Sequence, residues 1–251
     1  MKFKSKLSIL LLSTSLICMQ VKANEVSSKE MIDPMGSEDP YESFNRTMFN
    51  FNMEFNTTIG RPIAEAYSDF VPQPAQTGFK NFFNNLATPL SSLNSFLQGN
   101  VEDGLSSFMR FTINSTFGLF GLLDIATPAG LEQINEDFGQ TLYKWGVWNE
   151  ANYVVLPFLG PYTTRGLVSG SVEGYYDPIY PNVIDTDTQG RALLFTGKHF
   201  VNYVEAIRLI DELKNQPDPY VFARESYLQY RTNLIYNGNA PQADLDDFDF
   251  E

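Results

Sequence analysis

Twenty-one consecutive residues, Asn81 to Val101, contain no Asp, Glu, Lys, Arg or His, in a chain that carries 30 acidic and 17 basic side chains. Phe111 to Leu123 adds 13 such residues and Ala151 to Thr164 another 14. None of the three is a spanning segment, because Asn, Ser, Thr, Pro and Gly interrupt each apolar run well before the ~20 residues that crossing a bilayer requires. A helix on a water-soluble domain keeps a charged back, and 21 residues are enough to show one. Charge has been kept out of stretches rich in Phe, Leu and Asn, and aromatic rings suit the depth of a membrane interface. Each large apolar side chain fully removed from water contributes ~1.5–3 kcal/mol, so a handful would hold a protein on a bilayer. The expectation is a chain seated in the membrane interface by apolar burial.

Asp39 to Asn56, DPYESFNRTMFNFNMEFN, reads as the first helix. Asp39 suits the N-cap, Pro40 the first helical position and Glu42 the capping-box acid. Tyr41, Phe44, Met48, Phe51 and Phe55 fall at helical spacing, while Phe49 and Met53 lie off that stripe. The polar positions are mostly Asn45, Asn50, Asn52 and Asn56, with only Glu42, Arg46 and Glu54 charged. Such a helix meets apolar surroundings on more than one side. Two readings stay open: a helix inside a soluble core, or one at a membrane surface or against a membrane partner.

Further along, Arg61-Pro62 opens a short helix through Phe70, and a third, carrying Phe79, Phe82 and Phe83, follows Pro72 and Pro74 to about Leu86. Pro89 restarts a helix to Leu97, ended by Gly99. Val101 to Phe117 is expected to be helical with Leu105, Phe108, Met109 and Phe111 inward. Gly118 to Leu123 reads as a hinge-like turn and Asp124 to Glu136 as irregular. Tyr153 to Pro161 is apolar and broken by two prolines; Pro161 or Thr163 then starts a helix to about Val172. Tyr175 to Asp187 is a Tyr/Pro loop. An amphipathic helix covers Gly197 to Lys214, and a last one, opened by Asp218-Pro219, runs to about Tyr236. No strand pair stands out, so the expected class is all-α with no sheet: one domain over 39–236, after a polar linker at 24–38 and before an acidic, disordered tail at 237–251.

The first residues have the pattern of a signal peptide, with Lys2, Lys4 and Lys6 before the apolar run Leu7 to Ile17. Cleavage after Ala23 and lipid modification of Cys18 are the two processing alternatives. Cleavage after Ala23 would remove four Lys and no acid, taking the formal charge from −13 to −17. That balance argues against nucleic acid, since no basic stripe exists to neutralise phosphates.

Nothing in the chain asks for catalysis, a cofactor or a metal. His199 is the only histidine. Gly170-Ser171-Val172-Glu173-Gly174 has the wrong spacing for a nucleophile elbow, and Gly197-Lys198 lacks the rest of a phosphate-binding loop. Lys198 and His199 would occupy the first turn of the Gly197 helix. There Lys198 and the free backbone N–H groups would together hold a phosphate, unless the lysine simply points into water.

Taken together, Asp39-Pro-Tyr-Glu-Ser-Phe-Asn-Arg46, Val71-Pro72-Gln-Pro74, Phe96-Leu-Gln-Gly99, Arg110-Phe111 with Asn114-Ser-Thr116, Gly118 with Gly121-Leu-Leu-Asp124, Asp137-Phe-Gly-Gln-Thr-Leu142, Leu156-Pro157, Arg165 and Asp218-Pro219-Tyr220 resemble the MlaA/VacJ family, in order from about Asp39 to Tyr236. The resemblance implies a ring-like α-helical domain in the inner leaflet of the Gram-negative outer membrane, at its periplasmic face. It implies a non-enzymatic function: mislocalised phospholipid is taken from the outer leaflet through an amphipathic channel and passed to a periplasmic lipid carrier, beside trimeric porins. Lys198, Arg46 and Asn45 are then expected at the lipid channel and headgroup. Gly118 and Gly121 are expected to border its hairpin as a hinge, and Phe44, Met48, Phe51 and Phe55 to lie in the membrane interface. The alternatives are a structural porin-associated protein without a transport role, and a periplasmic lipid hydrolase.

Overall fold

A computed structural model describes residues 39–176 and 188–240. The signal-peptide, Cys18 and linker expectations fall outside the described residues, as do most of the Tyr/Pro loop and the tail from 241 onward. The elements are α1 (Glu42–Phe55), α2 (Arg61–Phe70), α3 (Gln73–Leu97), α4 (Val101–Phe117), α5 (Phe138–Lys144), β1 (Tyr153–Leu156), β2 (Gly160–Thr163), α6 (Thr164–Tyr176), α7 (Thr188–Leu213) and α8 (Pro219–Ile235). The helical class holds.

Prolines mark irregularity at three places, not always in the form expected. Arg61-Pro62 opens α2 over the expected span to Phe70, but without a break before it: a π-helical turn, Asn56–Gly60, carries α1 directly into α2. A proline removes one ladder donor, and the wider turn is a recognised way of absorbing such an irregularity. Pro89 does not restart a helix; it lies within the 25-residue α3, where the Thr88 hydroxyl donates to Asn84 O at 2.9 Å. Third, the expectation of no sheet fails at 153–163, where β1 and β2 form an antiparallel hairpin. Pro157 lies in its loop, and Pro161 pairs with Val155. The Val155 N–H points away from β2, donating to Asn45 Oδ1 at 2.8 Å. That pair therefore exchanges no ladder bonds, and the missing N–H of Pro161 costs the hairpin nothing.

The hairpin is clipped to α1 by two asparagines one face apart. Asn45 is 0 % exposed. Its Nδ2 donates to Tyr153 O at 3.1 Å and to Asp39 Oδ1 at 2.9 Å. One turn-pair later, Asn52 Nδ2 donates to Leu156 O at 2.9 Å and its Oδ1 accepts from Phe158 N at 2.7 Å. The two amides thus cover the free edge of β1, which would otherwise present unpaired backbone. This also moves the start of α1. Asp39 is not the residue before the helix; Tyr41 is, and Asp39 accepts from its N–H at 3.1 Å. Glu42 pairs with Arg46 at 2.7 Å instead of closing a capping box.

The α3–α4 hairpin turns at Gly99, whose φ of +83° suits glycine, and Asn100 caps α4 by accepting from Asp103 N. Here α4 faces opposite to expectation. Leu105, Phe108 and Met109 are exposed and Phe111 is half-buried, while Gly104, Ser107, Arg110 and Asn114 form the inner face. That inner face is held by hydrogen bonds. Ser92 Oγ donates to Gly104 O at 2.7 Å, and Arg110 Nη2 pairs with Asp124 at 2.8 Å. Asn114 Oδ1 accepts from Ile125 N and Ala126 N at 2.9 and 3.0 Å. Apolar packing is small by comparison: Phe83, Leu86 and Val201 make one cluster and Tyr153, Val155 and Tyr220 another.

Replacing Asn45 by Ala leaves Val155 N and Tyr153 O unpaired in a buried place. The expected cost is ~1–3 kcal/mol, read as a fall in melting temperature of the detergent-solubilised protein. Asn50→Ala on the exposed face serves as the control and should change stability by less than ~0.5 kcal/mol.

Candidate functional site

Side-chain burial is inverted relative to a water-soluble fold. Among the described residues, 31 large apolar side chains are exposed, whereas the buried set holds 17 polar or charged residues against ten apolar ones. The most exposed include Phe70 at 87 % and Phe120 at 81 %. Soluble proteins scatter single apolar residues on their surface; here they run in continuous groups. One group is the outer face of α4, Val101, Leu105, Phe108, Met109 and Phe117. It continues through Leu119, Phe120, Leu122 and Leu123 of the following turn. A surface of this kind marks contact with a membrane or a partner. Among the described residues no helix is long and apolar enough to cross a membrane.

Gly118 and Gly121 shape that turn, and the structure gives each a steric reason. A Cβ on Gly118 would lie 2.2 Å from Leu123 O. One on Gly121, at φ +91°, would lie 2.6 Å from the Asn85 side chain. Leu119 and Phe120 between them also have positive φ, 53° and 59°. Bulky residues rarely take this conformation. The run is closed by Gly121 N donating to Asn114 O at 2.9 Å and Leu123 N to Gly118 O at 2.8 Å.

Inside, α3, α5, α6 and α8 bring ionisable groups together. Asp137 caps α5, accepting from Gln140 N at 2.8 Å, and receives both Arg231 terminal nitrogens at 2.6 and 3.2 Å. Burial pushes its carboxyl up, but Arg231 outweighs this and holds it below the usual range. Glu173 of α6 accepts from Asn94 Nδ2 at 2.8 Å and Phe138 N at 2.7 Å. Burial raises the Glu173 carboxyl, and neither those bonds nor nearby Lys198 cancels the effect. Arg165 is 0 % exposed, donates through Nη1 to Trp148 O and Asn149 O, and lies 5.2 Å from the Tyr143 ring. No three His, Cys, Asp or Glu side chains gather as a metal site among the described residues.

The sequence-selected residues do not converge. Lys198 is half-buried near Glu173, but not at a helix start: α7 begins at Thr188, so Lys198 lies in its third turn, with no free N–H groups beside it. Gly197 had suggested the break. It serves packing instead, since a Cβ there would meet the Phe83 ring at 2.9 Å. Arg46 lies elsewhere, paired with Glu42 and with Asp218 at 2.9 Å, and 4.5 Å from the Tyr220 ring. Asn45 is the backbone clip described above. Of the α1 stripe, Phe44 and Phe51 are exposed. Phe51 and Phe55 meet Phe158 edge-on at 5.1 and 4.9 Å, and Met48 packs on the Tyr153 cluster. The interior residues Asp137, Arg165 and Glu173 were not singled out as sites. Their signal was available: Arg165 and Glu173 are the only charges between Glu150 and Asp177.

Glu173 has its carboxyl raised in the folded state, so the fold binds that proton more tightly than the unfolded chain does. Its proton-linked stability is full at low pH and is lost as pH rises through the raised value. Both of its hydrogen bonds end on Oε1, which a glutamine retains. Glu173→Gln should therefore melt at or above wild type at neutral pH, with a flatter stability profile over about pH 4 to 8. Glu173→Ala should melt lower, because Phe138 N and Asn94 lose their acceptor.

The MlaA lipoprotein family model matches residues 37–234. The intermembrane phospholipid transport system lipoprotein MlaA of Escherichia coli (strain K12) is 37 % identical over 238 residues, covering 87 % of this chain and 91 % of that protein. The protein of the same name from Haemophilus influenzae is 32 % identical over 243 residues, 93 % of this chain and 92 % of the relative. A solved structure reported as the structural basis for maintenance of bacterial outer membrane lipid asymmetry superposes with a TM-score of 0.69 at 33 % identity, covering 80 % of this chain and 100 % of that one. With more than half its length matched in sequence and the same fold, the chain belongs to the MlaA lipoprotein family.

Proposed function

We propose that this protein removes mislocalised phospholipid from the outer leaflet of the outer membrane and hands it to a periplasmic lipid carrier, with trimeric porins as neighbours. The broader role, a component of intermembrane phospholipid transport in the Gram-negative envelope, follows from the family and its relatives. This is a family of transport components and not of enzymes. The observation that carries the finer reading is the inverted burial: apolar side chains outside, hydrogen-bonded polar and charged ones inside. In hydrocarbon the hydrophobic effect does not drive helices together, and close packing with internal polar bonds holds them. A body built this way sits among acyl chains and offers headgroups a polar route.

In this reading the exposed residues of α4 and of the 117–123 turn face acyl chains, with Phe44 and Phe51 of α1. Lys198, beside Glu173, meets the phosphate as it passes. Arg46 and Asn45 act through α1, which they hold against α8 and β1. Gly118 and Gly121 permit the tight turn that presents Leu119 and Phe120 to lipid.

The test uses a Gram-negative strain deleted for its own homologue, with outer-leaflet phosphatidylethanolamine measured by a membrane-impermeant amine label. Wild-type chain should lower the label. Leu105→Asp with Phe108→Asp removes two exposed apolar groups, ~3–6 kcal/mol of membrane burial, and should abolish both membrane flotation and rescue. Lys198→Glu should keep flotation and melting temperature but lose rescue. Normal asymmetry in the deletion strain together with porin co-purification would favour a purely structural porin-associated role instead.

A further inference from the structure

Between α2, α3 and α7 lies a cavity of about 190 Å³, lined in part by Tyr67, Gln76, Thr77, Lys80, Val201 and Glu205. Two features mark it. Lys80 Nζ lies 2.7 Å from Glu205 Oε1, with both side chains near half exposure, so a cation and an anion share its mouth. The Tyr67 hydroxyl is buried yet has no hydrogen-bond partner among the described residues. Its ring is fixed edge-on against Phe200 at 5.3 Å. A buried hydroxyl without a partner is costly, and this one, closed off in the free protein, belongs to a residue of the cavity wall.

The cavity is below the ~300 Å³ usual for drug-sized ligands, too small for a diacyl lipid but of a size for a headgroup. An ion pair at the surface contributes only ~0–1 kcal/mol, so a ligand carrying both charges opens it at little cost and replaces one pair by two. An anionic headgroup alone would satisfy Lys80 and face Glu205 unfavourably. Phe70, 87 % exposed, precedes the cavity residue Gln73 by three positions in the chain.

We propose that this cavity binds the zwitterionic headgroup of an amine-bearing phospholipid, the phosphodiester on Lys80 and the Tyr67 hydroxyl and the ammonium on Glu205. The lipid origin of the ligand rests on the transport reading above; the headgroup chemistry does not. A water-soluble zwitterion of the same kind presents the same groups.

The test titrates the full chain in maltoside micelles with glycerophosphoethanolamine and with glycerophosphoglycerol, by calorimetry. Wild type should bind the first about tenfold more tightly than the second. Glu205→Gln should remove that discrimination, Lys80→Gln should weaken both, and Tyr67→Phe should weaken both a few-fold, all at unchanged melting temperature. Equal affinity of wild type for the two probes, or a Glu205→Gln variant that still discriminates, overturns the site. Mass spectrometry of lipid bound from mixed phosphatidylethanolamine and phosphatidylglycerol bicelles then separates the sources. Enrichment of the amine lipid, lost in Glu205→Gln, assigns the site to lipid. Binding of the soluble probe without lipid enrichment overturns the lipid assignment. Failure of wild type to restore asymmetry in cells, with probe discrimination intact, removes the transport reading and leaves the site.

Discussion

Buried polar groups cannot be left without partners, and the interior of this molecule is held together by meeting that demand. Asn45 and Asn52 take up the edge of β1. Asn114 gathers the backbone of Ile125 and Ala126 together with Asp124. Ser91 donates to Ile134 O at 2.7 Å and accepts from Glu136 N at 2.8 Å. Each side chain joins a helix to irregular backbone that would otherwise be unsatisfied. Asn45 and Asn52 of α1 are therefore connectors, while Asn50 stays on the exposed face.

The buried charges follow the same rule. Arg110 reaches Asp124, Thr127 Oγ1 at 2.7 Å and Leu131 O. Burial by itself would raise the Asp124 carboxyl, but bonds from Thr127, Arg110 and Asn114 bring it to about 2. Its contribution is present above the ordinary carboxylate range and is lost only as pH falls through that value. Arg231 and Asp137 do the equivalent for α8 and α5. Such pairs add less net stability than their geometry suggests, because both ions have left water; what they fix is which loop meets which helix. The turn at 118–123 depends on this. With Asn114 and Arg110 anchoring the chain on either side, Leu119 and Phe120 can hold left-handed conformations that an unanchored loop would relax.

Function grows from the same partition. In the proposed function, exposed apolar side chains are available to acyl chains, and a polar interior gives a headgroup somewhere to go. The carboxyl of Glu173, raised by burial, and the half-buried Lys198 near it place a polar pair inside this body that, in the proposed function, meets the headgroup as it passes.

Much of this was legible before any coordinates. Helical class follows from the spacing of apolar residues, and the uncharged segments are written in the charge placement itself. What the sequence could not supply was direction. Periodicity located the stripe of Leu105, Phe108 and Met109 but gave the same signal for a face turned to core or to lipid, and only the packed structure shows Ser107, Arg110 and Asn114 turned inward. Proline and glycine marked irregularity without its form: Pro62 sits beside a π turn, Pro89 stays inside a helix, Pro161 fits a strand, and Gly197 makes room for Phe83. The sequence by itself determined a helical chain with charge excluded from three long stretches. Tertiary structure decided which polar groups meet, since hydrogen bonds between Asn45 and β1, or Asp137 and Arg231, join residues about a hundred positions apart and leave no local pattern.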